Sequence, residues 1–248
     1  MDSFIEANSQ FTRTALEDVC KAFDIQDDLY EKYILGEIEK DKDLISVSQK
    51  RSVDDWTKQF PLGGPGTWLN GFVIYSLIRH FEAQSCLETG VSAGVYTSFM
   101  LAACKRNKSD LVSLEISDNL GEIGKLIPEK YKKYDEWSLI YGKSSLDFLS
   151  TNKKSFDFYS HDSLHTLSHM TKEFSFFKKS NRDRFLIYID DQNSDNFWQI
   201  LIEKNLLKKN GYTAKIIDGS SSRLQGHLGG FISSAVKPRR SGRGYEAP

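Results

Sequence analysis

The sequence has few cysteines and almost no net charge. Its three cysteines, Cys20, Cys86 and Cys104, stand alone in 248 residues, which predicts neither a disulfide framework nor a zinc site. Cys86 and Cys104 lie among apolar neighbours, as is typical of small core residues. The formal charge of −1 argues against a dedicated nucleic-acid-binding protein, which would carry a basic surplus.

Long apolar runs are also missing. No stretch reaches the roughly 18 apolar residues that span a membrane. The N-terminus, MDSFIEANSQ, has neither the basic start nor the apolar run of a secretion signal. We therefore expect a cytoplasmic protein with no membrane contact. Its length fits one α/β domain with extra elements, and 39% hydrophobic residues suffice for a core.

An alternation of strand and helix patterns begins at residue 85. It predicts a doubly wound, mostly parallel sheet with helices on both faces. The expected strands are Ser85–Thr89, Leu111–Ile116, Trp137–Tyr141, Phe156–Ser160 and Phe185–Ile189. The expected helices are Val95–Arg106, Leu120–Ile127, Ser145–Ser150, His165–Lys178 and Phe197–Lys208. Two further strand patterns, YTAKIIDG and LGGFISSAV, are joined by a Gly/Ser-rich turn and predict a terminal antiparallel hairpin.

Three regions are expected along the chain. Residues 1–66 carry apolar residues at helical spacing and run into the Gly/Pro-rich stretch FPLGGPGTW, which predicts an N-terminal helical cap or lid. Residues 67–236 form the core domain. Residues 237–248 are basic and predict a flexible tail. Trp56, Trp68 and Tyr96 either stack on a substrate or belong to the core.

The stretch SCLETGVSAGVYTSF places small residues where the first strand leads into a helix. In a doubly wound sheet, ligands bind beyond the carboxyl ends of the strands. Gly90 can adopt a positive φ, and Gly90 and Gly94 let a ligand approach the backbone. The amides at the start of the next helix would face that ligand. Glu88 would bind a cationic group or order the loop; a tight turn with a surface acid is the alternative.

Glu115 ends the second strand, about 25 residues after Gly90. An acid there suits the hydroxyls of an adenosine ribose, and a solvated acid is the alternative. Gly142 and Ser144 follow the third strand and are candidates for an adenine pocket, while Ser144 or Ser145 serves equally well as a helix N-cap. Because the turn reads G-x-x-x-G, not the G-x-G-x-x-G of dinucleotide sites, an adenosine cofactor without a diphosphate is favoured.

Together LETGVSAG, the acid in VSLEIS, the segment FDFYSHDSLH and the final hairpin resemble a class I S-adenosylmethionine-dependent methyltransferase over residues 85–236. The resemblance implies a Rossmann-like sheet of seven strands, the last antiparallel. It implies S-adenosyl-L-methionine (SAM) as cofactor, with the loop meeting its methionine part and the second acid binding its ribose. The expected cofactor contacts are Glu88, Thr89, Gly90, Gly94, Glu115, Gly142, Ser144 and Asp162.

A metal site is predicted beside the cofactor. Asp162 and His165 are three residues apart at the start of an expected helix, so they would share one side. Asp190 and Asp191 follow the fifth strand. Parallel strands lie about 5 Å apart, so Asp162, Asp190 and Asp191 could hold one Mg²⁺ or another divalent cation. Each acid alone also has an ordinary explanation. Asp162, or its neighbour Ser163, would cap the helix, and Asp190 and Asp191 would end a strand in solvent.

The predicted chemistry is methylation of a hydroxyl. Binding to the metal would lower the pKa of the hydroxyl, and His165, next to Asp162, would remove its proton. The arrangement is similar to metal-dependent O-methyltransferases of sugars and other natural products. The run Asp191-Gln192-Asn193 departs from the Asp-Asn pair of catechol-type relatives, so a catechol is less favoured than another small polyhydroxylated molecule.

Other hypotheses remain open at this stage. They are a metal-independent methyltransferase with His165 as base, or one with a nitrogen target; a nicotinamide-dependent dehydrogenase; and an inactive binding or scaffold protein with the same fold. Within the helix expected after the fourth strand, the buried face should hold Leu167, Met170, Phe174 and Phe177. His169 should then be solvated. The sequence leaves the acceptor and the formation of a homo-oligomer open.

Overall fold

The computed structural model describes residues 4–53, 66–181, 185–190, 200, 203, 212–217 and 224–231. Its helices are α1 (Phe4–Ala7), α2 (Ser9–Phe23), α3 (Tyr30–Ile38, wound as a π-helix), α4 (Lys42–Val53), α5 (Gly66–His80), α6 (Val95–Asn107), α7 (Glu129–Lys132), α8 (Ser145–Thr151) and α9 (Leu167–Ser180). Its strands are β1 (Ser85–Thr89), β2 (Asp110–Glu115), β3 (Trp137–Tyr141), β4 (Phe158–His161), β5 (Phe185–Asp190), β6 (Tyr212–Ile217) and β7 (Leu224–Phe231).

The strands form one sheet in the order β3-β2-β1-β4-β5-β7-β6. The first five strands along the chain pair in parallel, which confirms the predicted parallel sheet. Strand β7 pairs antiparallel with β5 and with β6. Because β1 lies between β2 and β4, the carboxyl ends of these strands stand side by side at one edge, where the candidate site residues lie.

Both faces of the parallel sheet are covered, as such sheets require. Successive side chains of a strand point to opposite faces. In β1, Cys86 therefore packs in the cluster with α5 and α6, and Leu87 packs in the cluster with α8 and α9. Phe158 and Tyr159 of β4 divide in the same way. Cys86 and Cys104 are buried core residues, as predicted.

The N-terminal helices share the core of the sheet's first face. Leu16 of α2, Ile34 of α3 and Val47 of α4 are buried in the same cluster as α5 and α6. Glu37 of α3 accepts hydrogen bonds from Tyr75 Oη at 2.5 Å and from Arg79 at 2.9 Å. Helix α2 also contacts β6. Side chains on both sides of residue 66 belong to this cluster. The predicted domain boundary at that residue stays a prediction.

One predicted helix is wrong. Residues 120–126 form consecutive turns, and the short α7 follows them. Gly124 has φ +64, a conformation that ends an α-helix. The amides of Gly124 and Leu126 donate to the carbonyls of Ser92 and Ala93 at 2.8 and 2.9 Å. These bonds replace the intrahelical bonds that the periodicity predicts.

Helix α9 starts two residues later than predicted. Thr166 is its N-cap, and its hydroxyl accepts from the His169 amide at 3.4 Å. Asp162 and Ser163 are therefore not the cap. The predicted helix at residues 197–208 lies outside the described residues except for Ile200 and Glu203, which are helical. None of the helices in the described ranges is long and apolar enough to cross a bilayer.

Candidate active site

The segment that joins β1 to α6 is the centre of the site. It runs from Thr89, the last residue of β1, to Tyr96, the second residue of α6 (residues 89–96, the β1–α6 turn). Gly90 has φ +87, and a Cβ there would overlap the carbonyl oxygen of Asp162. Gly94 has φ +88, and a Cβ there would come within 2.9 Å of Gly124 Cα. Both positions therefore require glycine. The close approach at Gly90 sets the end of β1 directly against the residue that follows β4.

Glu115 holds this turn in place. Its carboxylate accepts hydrogen bonds from the amides of Val91 at 3.0 Å, Ser92 at 2.8 Å and Ser117 at 3.0 Å. An ionised carboxylate offers about four acceptor positions, so these three bonds leave room for one more. Glu115 therefore orders the loop, a role that the sequence predicted for Glu88. Which acid reaches the loop depends on the pairing of β1 with β2 and has no local sequence signal.

Glu88 lies behind the turn. It is buried, with 1% of its surface exposed, and accepts hydrogen bonds from Ser113 Oγ at 2.7 Å and Thr97 Oγ1 at 2.9 Å. Burial raises its pKa to about 7, and the charge of Glu115 adds to the rise, although both hydroxyl bonds oppose it. The carboxyl therefore ties β1 to β2 and α6.

Asp162 and His165 come together, although not on a helix. They lie in the segment between β4 and α9, and Asp162 Oδ1 is 3.5 Å from His165 Nε2. The Asp162 amide donates to the carbonyl of Thr89 at 2.8 Å, which fixes this segment on the β1–α6 turn. The side chains of Asp162 and His165 are 26% and 30% exposed, so a ligand can reach both.

Asp190 reaches the same turn from β5. Its Oδ1 accepts from Tyr188 Oη at 2.6 Å and from Tyr96 Oη at 2.9 Å, and Asn70 Nδ2 lies at 3.4 Å. Tyr96 is buried, and burial and the charges of Asp190 and Asp162 raise its pKa well above the usual range. Of the two expected roles, Tyr96 thus has the packing role. Trp68 is also a core residue, packed edge-on against Phe72.

The predicted metal ligands do not form a metal centre in the part of the chain that the structure describes. No group of three or more His, Cys, Asp or Glu residues there could hold an ion. Asp162 is next to His165, and Asp190 accepts two tyrosine hydroxyls. Asp191 lies outside the described residues. The described donors therefore do not form a magnesium site on their own.

Exposed apolar side chains line the same edge. The exposed large hydrophobic residues in the described ranges are Ile116, Leu120, Tyr141, Leu164 and Leu167. All five are at or beyond the carboxyl ends of β2, β3 and β4. Ile116, next to Glu115, is 75% exposed, which is unusual for isoleucine. An exposed apolar group of this kind often marks a ligand-binding surface.

The candidate adenine residues follow β3. Gly142 has φ +64, and its amide donates to the carbonyl of Ser117 at 3.0 Å. Ser144 is the N-cap of α8 and accepts from the Leu146 amide at 3.2 Å, so the capping alternative is the one observed. Glycine at 142 keeps the backbone open beside the exposed ring of Tyr141.

A buried polar cluster behind His165 was missed. The expectation that His169 is solvated is wrong: its Nε2 lies 3.4 Å from Glu173 Oε1, and Glu173 is fully buried. Leu167, expected on the buried face, is 44% exposed. Glu173 stands among Met170, Phe174 and Phe177, so an acid within the apolar stripe of α9 was the available signal.

Comparison with known proteins indicates a methyltransferase domain. Residues 87–192 match the family model described as a methyltransferase domain. No curated protein sequence matches the chain.

Solved structures share the fold. The O-methyltransferase TomG of Streptomyces achromogenes, involved in tomaymycin synthesis and in complex with SAM, is 15% identical over 78% of this chain and 90% of that chain, with a TM-score of 0.56. An O-methyltransferase of Bacillus cereus bound to SAH is 16% identical over 78% and 91%, with a TM-score of 0.54. Podospora anserina PaMTH1, bound to SAH, is 14% identical over 77% and 88%, with a TM-score of 0.54.

At these identities the solved structures establish the fold alone. The match over residues 87–192 adds the domain type. The predicted methyltransferase domain is therefore confirmed over residues 87–192.

Proposed function

We propose that this protein is a SAM-dependent O-methyltransferase that acts on a hydroxyl of a small molecule. The observation that carries the proposal is the convergence of three acids from three strand ends on the β1–α6 turn. Glu115 of β2 binds the amides of Val91 and Ser92, Asp162 after β4 abuts Gly90, and Asp190 of β5 binds Tyr96. Ligands of doubly wound sheets bind at such an edge.

The cofactor would lie across this edge. The remaining acceptor position of Glu115 is available to a ribose hydroxyl, and Ile116 and Tyr141 offer apolar surface to the adenine. The methionine part would extend over Thr89, Gly90 and Gly94 toward Asp162. Glu88 and Ser144 act indirectly in this arrangement, Glu88 through the pairing of β1 with β2 and α6 and Ser144 through the cap of α8.

His165 is the proposed base. The acceptor hydroxyl gives its proton to His165 while its oxygen attacks the sulfonium methyl of SAM, which leaves a methyl ether, S-adenosylhomocysteine and an imidazolium. The carboxylate of Asp162, 3.5 Å from His165 Nε2, stabilises that cation. A positioned base of this kind contributes about 10²–10⁴-fold to a rate.

The metal-independent form is proposed over the magnesium-assisted one. Asp190 Oδ1 already accepts hydrogen bonds from Tyr96 and Tyr188, and no three His, Cys, Asp or Glu side chains in the described ranges are grouped as an ion would require. The acceptor is proposed to be a small hydroxylated molecule. Leu164 and Leu167, exposed on either side of His165, favour one that carries apolar carbon beside its hydroxyl groups.

The test combines binding and turnover. Calorimetry with SAM and with reduced nicotinamide cofactor should show binding of SAM alone. Transfer of a labelled methyl group from SAM would be followed on a substituted phenol, a catechol and a methyl hexoside, with and without EDTA. We expect transfer to at least one acceptor, and at least half of the rate with EDTA present.

The Glu115→Gln variant should weaken SAM binding about 10- to 100-fold, since a hydrogen bond to a charged group contributes about 1.5–3 kcal/mol. Glu122→Gln, an exposed acid in the segment that follows β2, is the matched control and should bind SAM as the wild type does. Binding of the nicotinamide cofactor in place of SAM would refute the methyltransferase. Loss of activity in EDTA with SAM binding intact would support the magnesium-assisted mechanism instead.

A further inference from the structure

The buried cluster behind His165 has no role in the mechanism above. His161, the last residue of β4, is 2% exposed, and Glu173 of α9 is fully buried. His161 Nδ1 contacts Glu173 Oε2. Tyr159 Oη donates to the same oxygen at 2.6 Å, and Ser163 Oγ donates to Oε1 at 3.2 Å. Two titratable groups are thus buried within a few residues of the proposed base.

These contacts define the proton positions. Burial alone would raise the pKa of Glu173, but hydrogen bonds from His161 and His169 outweigh it and hold the pKa well below the usual range. Glu173 is therefore ionised and can only accept hydrogen bonds. His161 Nδ1 must then carry a proton toward Glu173, and in the tautomer with that single proton Nε2 keeps a lone pair.

That lone pair has no partner within the described structure, because His161 Nε2 is buried without a hydrogen bond. Leaving a buried polar group unpaired costs about 1–3 kcal/mol, and such groups in native structures call for an explanation. The ring of His165 lies 5.6 Å away, centroid to centroid, at 68°. A direct N–H···N bond of about 3 Å between two imidazoles corresponds to a centroid distance of about 5 Å. A small movement of His165 would therefore supply the missing partner.

We propose that Glu173 and His161 are positioning residues for His165, and that in the working enzyme His161 Nε2 accepts a hydrogen bond from His165 Nδ1. This inference rests on the proposed function of His165. The chain Glu173–His161–His165 places the single proton of neutral His165 on Nδ1, so Nε2 is the nitrogen that takes the acceptor's proton, beside Asp162. The carboxylate orients one imidazole and that imidazole orients the next, as in other bases that are held by a carboxylate.

Two substitutions separate this role from mere packing. In His161→Asn, the amide nitrogen can replace Nδ1 and still donate to Glu173, but nothing replaces Nε2. In His161→Gln, the longer amide can place an oxygen near the Nε2 position. We expect kcat to fall about 10- to 100-fold in His161→Asn, with the KM for SAM within twofold of wild type, and His161→Gln to recover at least part of that loss. Turnover is measured on the most active acceptor of the panel above.

A second readout does not need an acceptor. In ¹⁵N NMR spectra of the SAH complex, both His161 and His165 should be protonated at Nδ1, and the His165 signature should disappear in His161→Asn. The control is His80→Asn. His80 ends α5 and lies about 80 residues before His161 in the sequence, so this change should leave turnover and both signatures unchanged.

The outcomes separate the two proposals. Protonation of His161 at Nε2, a fully active His161→Asn, or no recovery in His161→Gln would overturn the positioning role while methyl transfer by the wild type stands. A wild type that neither binds SAM nor transfers a methyl group would overturn the proposed function itself. If the wild type binds SAM but methylates no acceptor of the panel, the NMR test decides. Loss of the His165 signature in His161→Asn would then support the positioning role, and an unchanged signature would overturn it.

Discussion

At the residue scale, Glu88 shows how burial sets a titration. Its carboxyl lies between Ser113 and Thr97, and its pKa is raised to about 7 from a usual value near 4.3. The folded state then binds a proton that the unfolded state has released. Folding stability contributed by this group is fully present below about pH 4 and falls as the pH rises toward 7.

The Glu88→Gln variant should remove this pH dependence. Glutamine keeps the size and an accepting oxygen but does not ionise, so up to about 3 kcal/mol of the stability lost by the wild type between pH 4.5 and 7.5 should be retained. Urea unfolding at both pH values measures this difference. A variant that loses as much stability as the wild type over that range would show that Glu88 titrates normally. Glu122→Gln is the exposed control.

The sequence predicted single positions where backbone geometry or strand order determines them. The positive φ predicted for Gly90 is confirmed, and Asp162 and Asp190 lie at strand ends as expected. The binding roles predicted for these residues stay predictions. Hydrogen-bond partners could not be predicted in this way. The ordering of the loop by Glu115 instead of Glu88, and the contact of His169 with the buried Glu173, depend on which side chains the sheet brings together.

At the element scale, the close contact between β1 and β4 depends on Gly90. Gly90→Ala would force a Cβ into the carbonyl oxygen of Asp162 at φ +87, and we expect a loss of more than about 2 kcal/mol of folding stability together with loss of SAM binding. Thermal unfolding and calorimetry measure the two effects.

Gly121→Ala is the matched control, because a Cβ there meets only Asn119 Oδ1 at 3.4 Å. It should change stability by less than about 1 kcal/mol. If both glycine variants behaved alike, the proposed packing of the turn against Asp162 would be wrong.

Strands were predicted better than the turns that follow them. A strand of this sheet is a short apolar run, and β1 and β3 have the predicted bounds. Residues 120–127 have apolar residues at helical spacing, yet their amides bind the carbonyls of Ser92 and Ala93. That pairing joins two segments about 30 residues apart, and periodicity carries no information about it.

At the scale of the whole molecule, Glu37 joins the N-terminal helices to the rest of the core. It binds Tyr75 and Arg79 while only about a fifth of its side chain and of Arg79 is exposed. Glu37→Ala should cost about 2–3 kcal/mol, because removal of one partner leaves a largely buried charge. Lys125→Ala, which breaks an exposed pair with Glu122, should cost less than about 1 kcal/mol. Denaturant unfolding distinguishes them, and equal losses would contradict the anchoring role.

Binding of the cofactor should stabilise the whole fold. At 100 times its Kd, SAM should add about 2.7 kcal/mol, or about 5–10 °C in melting temperature for a chain of this size. Thermal scans with and without SAM measure this shift, and Glu115→Gln should show a smaller one at the same concentration. A wild type whose melting temperature ignores SAM would contradict the proposed cofactor.

The fold class was predictable because the order of strand and helix patterns can be read from the sequence. The shared core of α2 and α6 was not predictable, since the pattern within either helix does not indicate which distant helix it packs with.

The contact of α2 with β6 brings residues 9–23 against residues 212–217. During synthesis, which proceeds from the N-terminus, the first helices leave the ribosome long before the strand they touch. Until then their apolar surface has to be shielded by other means, and a chain released early would expose it to aggregation. Long-range pairing of this kind also slows folding. The protein should therefore refold slowly from denaturant and gain yield from chaperones.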